Sequence, residues 1–181
     1  MPLRGVTFSR LPYHQESVVF SLEIETLARL LIDEARSKSL RIVTAESCTG
    51  GLVAGAICAI AGASDVFERG FVTYNNRAKQ ELLGVPGELI ADLGAVSEPV
   101  ARMMAEGALE NSNAHLSVAI TGIAGPGGGT RMKPVGTVHI ATARTNHGLH
   151  HSQEFFQFET RAEIQLAAVQ AALEALRERI A

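Results

Sequence analysis

The chain has 181 residues, with 16 basic against 19 acidic side chains for a net charge of −3, and 46% of its residues are apolar. That is the size and composition of one folded domain with a substantial core. The slightly acidic balance and the lack of a basic run argue against a protein that grips a nucleic-acid backbone, since phosphate neutralisation needs clustered Lys and Arg.

Cys48 and Cys58 form no zinc or disulfide pattern, which predicts a reducing, cytoplasmic setting. The uncharged stretch between Glu46 and Asp65 is broken by Gly50, Gly51, Gly55 and Gly62. Its apolar part falls short of the roughly 20 residues of a spanning helix, so no membrane role is expected. The first twenty residues include Arg4, Arg10, His14 and Glu16 and lack the apolar centre of a secretory signal. Residues 1–20 are expected to be a poorly ordered arm and residues 21–181 one domain.

In chain order, Leu22, Ile24, Leu27, Leu30, Leu31 and Ala35 recur at helical spacing and predict a helix over 21–37. A β-prone run at 40–45 passes through the tight turn Glu46-Ser47-Cys48-Thr49-Gly50-Gly51 into an apolar helix over 52–61. Next come a strand at 67–74, a short helix at 76–83 closed by Gly84, and a longer helix over 97–111 with Glu98 and Pro99 in its first turn. A buried strand at 116–121 opens into the glycine-rich segment 122–129, which must be a loop. Strands at 136–143 and 150–158 form a hairpin, and Thr160 caps a final helix ending at Ile180. Interleaving of this kind predicts a three-layer α/β domain with a mostly parallel mixed sheet whose one antiparallel member comes from the hairpin. The hairpin edge and an apolar helix suggest a homodimer.

Ligands of α/β sheets collect beyond the carboxyl ends of strands, and two predicted strand ends open into glycine-rich loops, at 46–51 and at 121–129. Ser47 stands at a strand-to-helix turn, where unpaired N–H groups and the positive helix end favour an oxyanion, so it reads as a nucleophile or as an ordinary N-cap. None of His14, His115, His147, His150 and His151 is placed to activate it. Lys79 is the alternative base, because a desolvated lysine is neutral near physiological pH; the competing reading is a solvated lysine on a short amphipathic helix. The loop at 125–129 lacks both the P-loop and the dinucleotide-binding fingerprint. Its bared N–H groups, with Arg131, Lys133 or Arg161, suit an anion, unless the loop is only a flexible turn. The histidines and carboxylates have no metal-ligand spacing.

Taken together, four segments resemble the CinA C-terminal domain family, whose characterised activity is nicotinamide-nucleotide amidase. They are Thr44-Ala45-Glu46-Ser47-Cys48-Thr49-Gly50-Gly51, Tyr74-Asn75-Asn76-Arg77-Ala78-Lys79 with Leu82-Leu83-Gly84-Val85, Gly94-Ala95-Val96-Ser97-Glu98, and Ala119-Ile120-Thr121-Gly122-Ile123-Ala124-Gly125-Pro126-Gly127-Gly128. The resemblance runs from about Leu22 to the C-terminus. It implies an α/β/α sandwich with a five-stranded mixed sheet, in a stand-alone amidase form without the larger N-terminal domain of some relatives. Ser47 is then the nucleophile and Lys79 its base, with Tyr74 and Thr121 lining the site. Glu46, Thr49, Gly50, Gly51, Gly122, Gly125, Gly127 and Arg161 are the expected substrate-binding set, the N–H groups of 49–51 holding the oxyanion. Glu159-Thr160 departs from the Gly-Asp or Gly-Asn usual before the family's arginine. The implied reaction converts nicotinamide mononucleotide to nicotinic acid mononucleotide and ammonia without metal or cofactor. Rival readings are a non-catalytic pyridine-nucleotide sensor and a competence- or damage-associated accessory protein.

Overall fold

The computed structural model describes residues 19–181. Five strands, β1 (Ile42–Glu46), β2 (Phe67–Val72), β3 (Leu116–Gly122), β4 (Thr137–Arg144) and β5 (Gly148–Phe155), form one sheet in the order β2-β1-β3-β4-β5. β1 pairs in parallel with β2 and β3, whereas β4 is antiparallel to both β3 and β5. Four strands therefore share one direction and only β4 opposes them, which is the mixed sheet the sequence implied.

Period-two alternation sorts the strand residues between two cores. Ile42, Leu116, Val118, Ile120, Val138 and Ile140 face α1 (Leu22–Ser37), α2 (Leu52–Cys58) and α6 (Arg161–Ile180). Val43, Ala45, Ala119, Ala141 and Ala143 face α3 (Asn76–Leu83), α4 (Gly87–Leu93) and α5 (Glu98–Glu110). Every residue of β1 is buried, since it lies inside the sheet with helices on both faces. Among the described residues, no helix is long and apolar enough to cross a membrane.

Of the arm expected at 1–20, residues 1–18 lie outside the described residues. Phe20, assigned to that arm, is buried against the core, with its ring beside Gly55 of α2. The segment 85–96, left unassigned by periodicity, contains the seven-residue α4, whose N-cap is Pro86; Val85-Pro86-Gly87 reads locally as a turn, which hid it. A single 3₁₀ turn at Ala63–Asp65 was also missed.

The packing of α3 decides where Lys79 lies. Asn75 caps the start of this helix, accepting from the Ala78 N–H at 2.7 Å, and Gly84 ends it in the left-handed region at φ 66°. Its two buried residues are Lys79 and Leu83, one turn apart, so the lysine occupies a core position. α3 also approaches α5 closely at Gly107, where a Cβ would stand 2.0 Å from the Leu83 carbonyl oxygen. An alanine in a helix interior ordinarily gains about 1 kcal/mol over glycine. Here overpacking wins: Gly107→Ala is expected to lower unfolding free energy by ~1–3 kcal/mol in urea titrations, and a stabilised variant would contradict so close an α3–α5 contact.

Candidate active site

The co-directional strands end on one side of the sheet. β1 runs directly into Ser47, β2 into Thr73, Tyr74 and α3, β3 into the 122–128 loop, and the segment after β5 into Arg161 at the start of α6. Alternation separates the neighbours Glu46 and Ser47. Glu46 follows Ile42 and Thr44 onto the α2 face, while Ser47 follows Val43 and Ala45 onto the α3 face.

The Glu46 carboxylate, fully buried, accepts from the N–H groups of Gly51 (3.0 Å), Val53 (3.0 Å) and Ala54 (2.8 Å) and from the Thr49 hydroxyl (2.8 Å). It satisfies the orphan donors at the start of α2 and complements the positive helix end. Gly50 donates to the Ser47 carbonyl at 3.1 Å. Of the three N–H groups expected to hold an oxyanion, at residues 49–51, those of Gly50 and Gly51 are thus spent within the turn. Glu46, Thr49, Gly50 and Gly51 do not line the pocket, and their role is to fix the turn that presents Ser47. The N–H of Cys48 has no backbone acceptor among the described residues, and Cys48 is one of the residues lining the pocket.

On the α3 face, Lys79 Nζ lies 2.9 Å from Ser47 Oγ, 2.8 Å from the Thr73 carbonyl oxygen and 3.5 Å from that of Tyr74. Lys79 is 1% exposed and Ser47 8%. Carbonyl oxygens only accept, so a neutral amine turns its two hydrogens toward them and its lone pair toward the serine hydroxyl. Burial pushes the Lys79 pKa down from 10.5 to about 8, against a smaller upward pull from Cys48. The Cys48 thiol is itself pushed up to about 12, chiefly by burial, so at neutral pH it carries no charge to hold an ammonium and is a poor nucleophile.

The other walls come from β3 and α6. Thr121 Oγ1 donates to the Ala95 carbonyl at 2.8 Å, tying the α4–α5 connection to the end of β3. Gly122 admits Cys48 closely, since a Cβ there would meet its Sγ at 3.1 Å. Arg161 donates from Nη1 to the Gly125 carbonyl and from Nη2 to the Tyr74 hydroxyl, both at 2.7 Å. Thr160 and Glu163 make a reciprocal capping box, so Thr160 caps the helix through its own hydroxyl despite the departure from the usual family residues. Gln165, one turn beyond Arg161, donates to the Cys48 carbonyl at 2.7 Å. Sequence reasoning missed this contact, although the i, i+4 spacing from Arg161 was there to read.

These groups enclose a recess of about 270 Å³ lined by Ser47, Tyr74, Lys79, Thr121, Arg161 and the 122–128 loop. Gly122, Gly125 and Gly127 line it. Lys133 instead donates to the Leu93 carbonyl at 2.6 Å, and neither it nor the exposed Arg131 lines the recess. His139 and His151 stack on each other with ring nitrogens 2.9 Å apart, outside the recess. A larger hollow of about 540 Å³ near Glu34 and Arg177 is also lined by Ser37 and Lys38, but Ser37 Oγ donates to the Glu34 carbonyl and Lys38 Nζ to the Ile180 and Ala181 carbonyl oxygens rather than to each other.

The model of the CinA C-terminal domain matches residues 24–180. The chain belongs to the CinA C-terminal domain family. A putative competence-damage inducible protein of Caldicellulosiruptor saccharolyticus is 44% identical over 90% of this chain and 39% of its own length. A CinA-like protein of Akkermansia muciniphila is 56% identical over 65% of this chain and 28% of its own. The chain thus spans well under half the length of these curated relatives. Among solved structures, the competence/damage inducible protein CihA of Agrobacterium tumefaciens superposes with a TM-score of 0.86 at 51% identity, covering 88% of this chain and 96% of that one. A CinA superfamily protein of Escherichia coli gives 0.81 at 37% identity, covering 86% and 90%. The CinA fold is therefore shared over nearly the whole described chain.

Burying Lys79 has a thermodynamic signature. With a folded value near 8 against the ordinary 10.5, the unfolded chain holds the Lys79 proton between those pH values while the folded protein releases it. The group's destabilising contribution is fully present below about pH 8 and is relieved as pH rises toward 10.5, with a ceiling of about 3 kcal/mol. Lys79→Met is accordingly expected to raise unfolding free energy at pH 7 by ~1–3 kcal/mol, a gain that shrinks toward pH 10. Equal stability of the two proteins across that range would rule out a strained, desolvated lysine.

Proposed function

We propose that this protein is an amidohydrolase that deamidates nicotinamide mononucleotide to nicotinic acid mononucleotide through an acyl-serine intermediate. The observation that carries the reading is the 2.9 Å contact between Ser47 Oγ and Lys79 Nζ, with the amine buried and its pKa pushed down to about 8. Serine needs a base to become a nucleophile, and a neutral lysine within hydrogen-bonding reach is a recognised form of that pairing. The choice of pyridine nucleotide rests on the family resemblance of the four segments. Its positively charged ring withdraws electrons from the carboxamide and makes the carbonyl carbon more electrophilic.

In the proposed reaction Lys79 takes the Ser47 proton as Oγ attacks the carboxamide carbon. The carbonyl π electrons move to oxygen, and the Cys48 N–H, as the residue after the nucleophile, is the donor assigned to that oxyanion. The intermediate collapses with cleavage of the C–N bond, and Lys79 returns its proton to the departing nitrogen, releasing ammonia. Water, deprotonated by Lys79, then attacks the acyl carbon, and the proton passes back to Ser47 as its ester bond breaks. Arg161 holds the 125 loop and Tyr74 in place and, among the described residues, presents the one guanidinium on the recess wall, toward which the substrate phosphate is assigned.

Ammonia release from nicotinamide mononucleotide by the purified protein is the direct test, and it separates an enzyme from a sensor that only binds. Turnover is expected to rise with pH through an apparent pKa near 8 and to be abolished in Ser47→Ala. Lys79→Arg should be nearly as inactive as Lys79→Met, because arginine keeps the charge but cannot be deprotonated in a protein. A largely active Lys79→Arg would remove general-base catalysis from this residue, and nucleotide binding without turnover would favour the sensor.

A further inference from the structure

We propose that β5 is a self-pairing edge through which two copies of this chain join about a two-fold axis at Ser152, making one sheet continuous across a homodimer. β5 is the last strand of the sheet and eight residues long; its faces meet α5 and, through Arg179, α6, but β4 is its one strand neighbour among the described residues, which leaves its outer hydrogen-bonding edge unpaired. Edges of monomeric proteins are commonly blunted by lysine, proline or a bulge. β5, with the sequence Gly-Leu-His-His-Ser-Gln-Glu-Phe, pairs with β4 in unbroken register and contains neither lysine nor proline. Phe155 and Phe158, at its carboxyl end, are about half exposed.

The hydrogen-bond phase fixes which residues can pair. Phe156 N–H donates to the Gly136 carbonyl at 2.9 Å. Even-numbered residues therefore bond β4, and residues 149, 151, 153 and 155 turn their N–H and C=O groups outward. An antiparallel copy centred on Ser152 sets Leu149 opposite Phe155 and His151 opposite Gln153 as bonded pairs, with His150 opposite Glu154 between them. Apolar thus meets apolar, and acid meets an imidazole whose Nε2 is 2.9 Å from Arg179 Nη1. Arg179 itself pairs with no carboxylate among the described residues. The neighbouring registers are worse. Centring on 154 sets Glu against Glu, centring on 153 sets His151 against Phe155, and centring on 151 sets Leu149 against Gln153. The other edge, β2, carries Glu68 and Arg69 already paired to each other, and a two-fold centred on either sets like charges face to face.

Sedimentation velocity of the full chain over a concentration series tests the proposal. The wild type is expected to be a dimer, Glu154→Lys to weaken association by ten-fold or more, and His150→Glu combined with Glu154→Lys to restore it. Register is read separately in a Cys58→Ser background, which removes the exposed native thiol. Across a non-bonded antiparallel pair the Cα atoms stand about 4.5 Å apart, within disulfide range. Diamide, taking up two electrons and two protons from two thiols, should therefore cross-link Ser152→Cys copies, while Gln153→Cys, which faces His151, should stay uncross-linked. A monomeric wild type would overturn the proposal and leave the edge to a strand of another protein. So would a dimer indifferent to Glu154→Lys that fails to cross-link at position 152.

Discussion

The site is organised around one constraint, an amine that has been taken out of water without a carboxylate to accompany it. Lys79 is 1% exposed and its polar neighbours are a hydroxyl and two carbonyl oxygens. A carboxylate in their place would have held the proton on the amine; without one, burial favours its release. Glu46 is adjacent in sequence to Ser47, yet its four bonds to Thr49 and the start of α2 turn its charge to the opposite face of the sheet. The same acid that would spoil the base if it faced the other way thus builds the turn that presents the nucleophile.

Everything else in the recess is arranged by strand direction. Because β1, β2, β3 and β5 point the same way, segments far apart in sequence deliver Ser47, Tyr74 with Lys79, the 122–128 loop and Arg161 to one place. The first turns of α6 then brace three of these walls, Arg161 through Gly125 and Tyr74 and Gln165 through Cys48. A serine–lysine pair tolerates little looseness, since a proton passes only between atoms within hydrogen-bonding reach. The rigid strand ends and the α6 braces supply that tolerance from elements outside the chemistry.

Much of this was legible in the sequence. The alternation of strong helical and strand periods gave the layers, and the run from Thr44 to Gly51 exposed a nucleophile at a strand end. What stayed hidden was set by tertiary contacts. Local pattern cannot tell Lys79 from a solvated lysine, because only the pairing of α3 with α5 at Gly107 and Leu83 puts it in the core. The backbone donors of residues 50 and 51 looked available for an oxyanion because glycines bare the chain, but the Glu46 carboxylate and the Ser47 carbonyl had taken them. Phe20 read as part of an arm because a single aromatic has no period, and it is ordered by the surface of α2 that it covers. α4 was masked by its own Pro-Gly start.

The protonation state of Lys79 is the point on which the chemistry turns, and nuclear magnetic resonance of protein carrying isotope-labelled lysine reads it without any substrate. The Cε and Nζ signals that vanish in Lys79→Met identify the residue. Their titration with a midpoint near 8 is the expected result, which leaves a working fraction of neutral amine near pH 7 to 8; a midpoint at the ordinary value of 10.5 would leave only about one part in a thousand neutral at physiological pH, against its role as the base for Ser47.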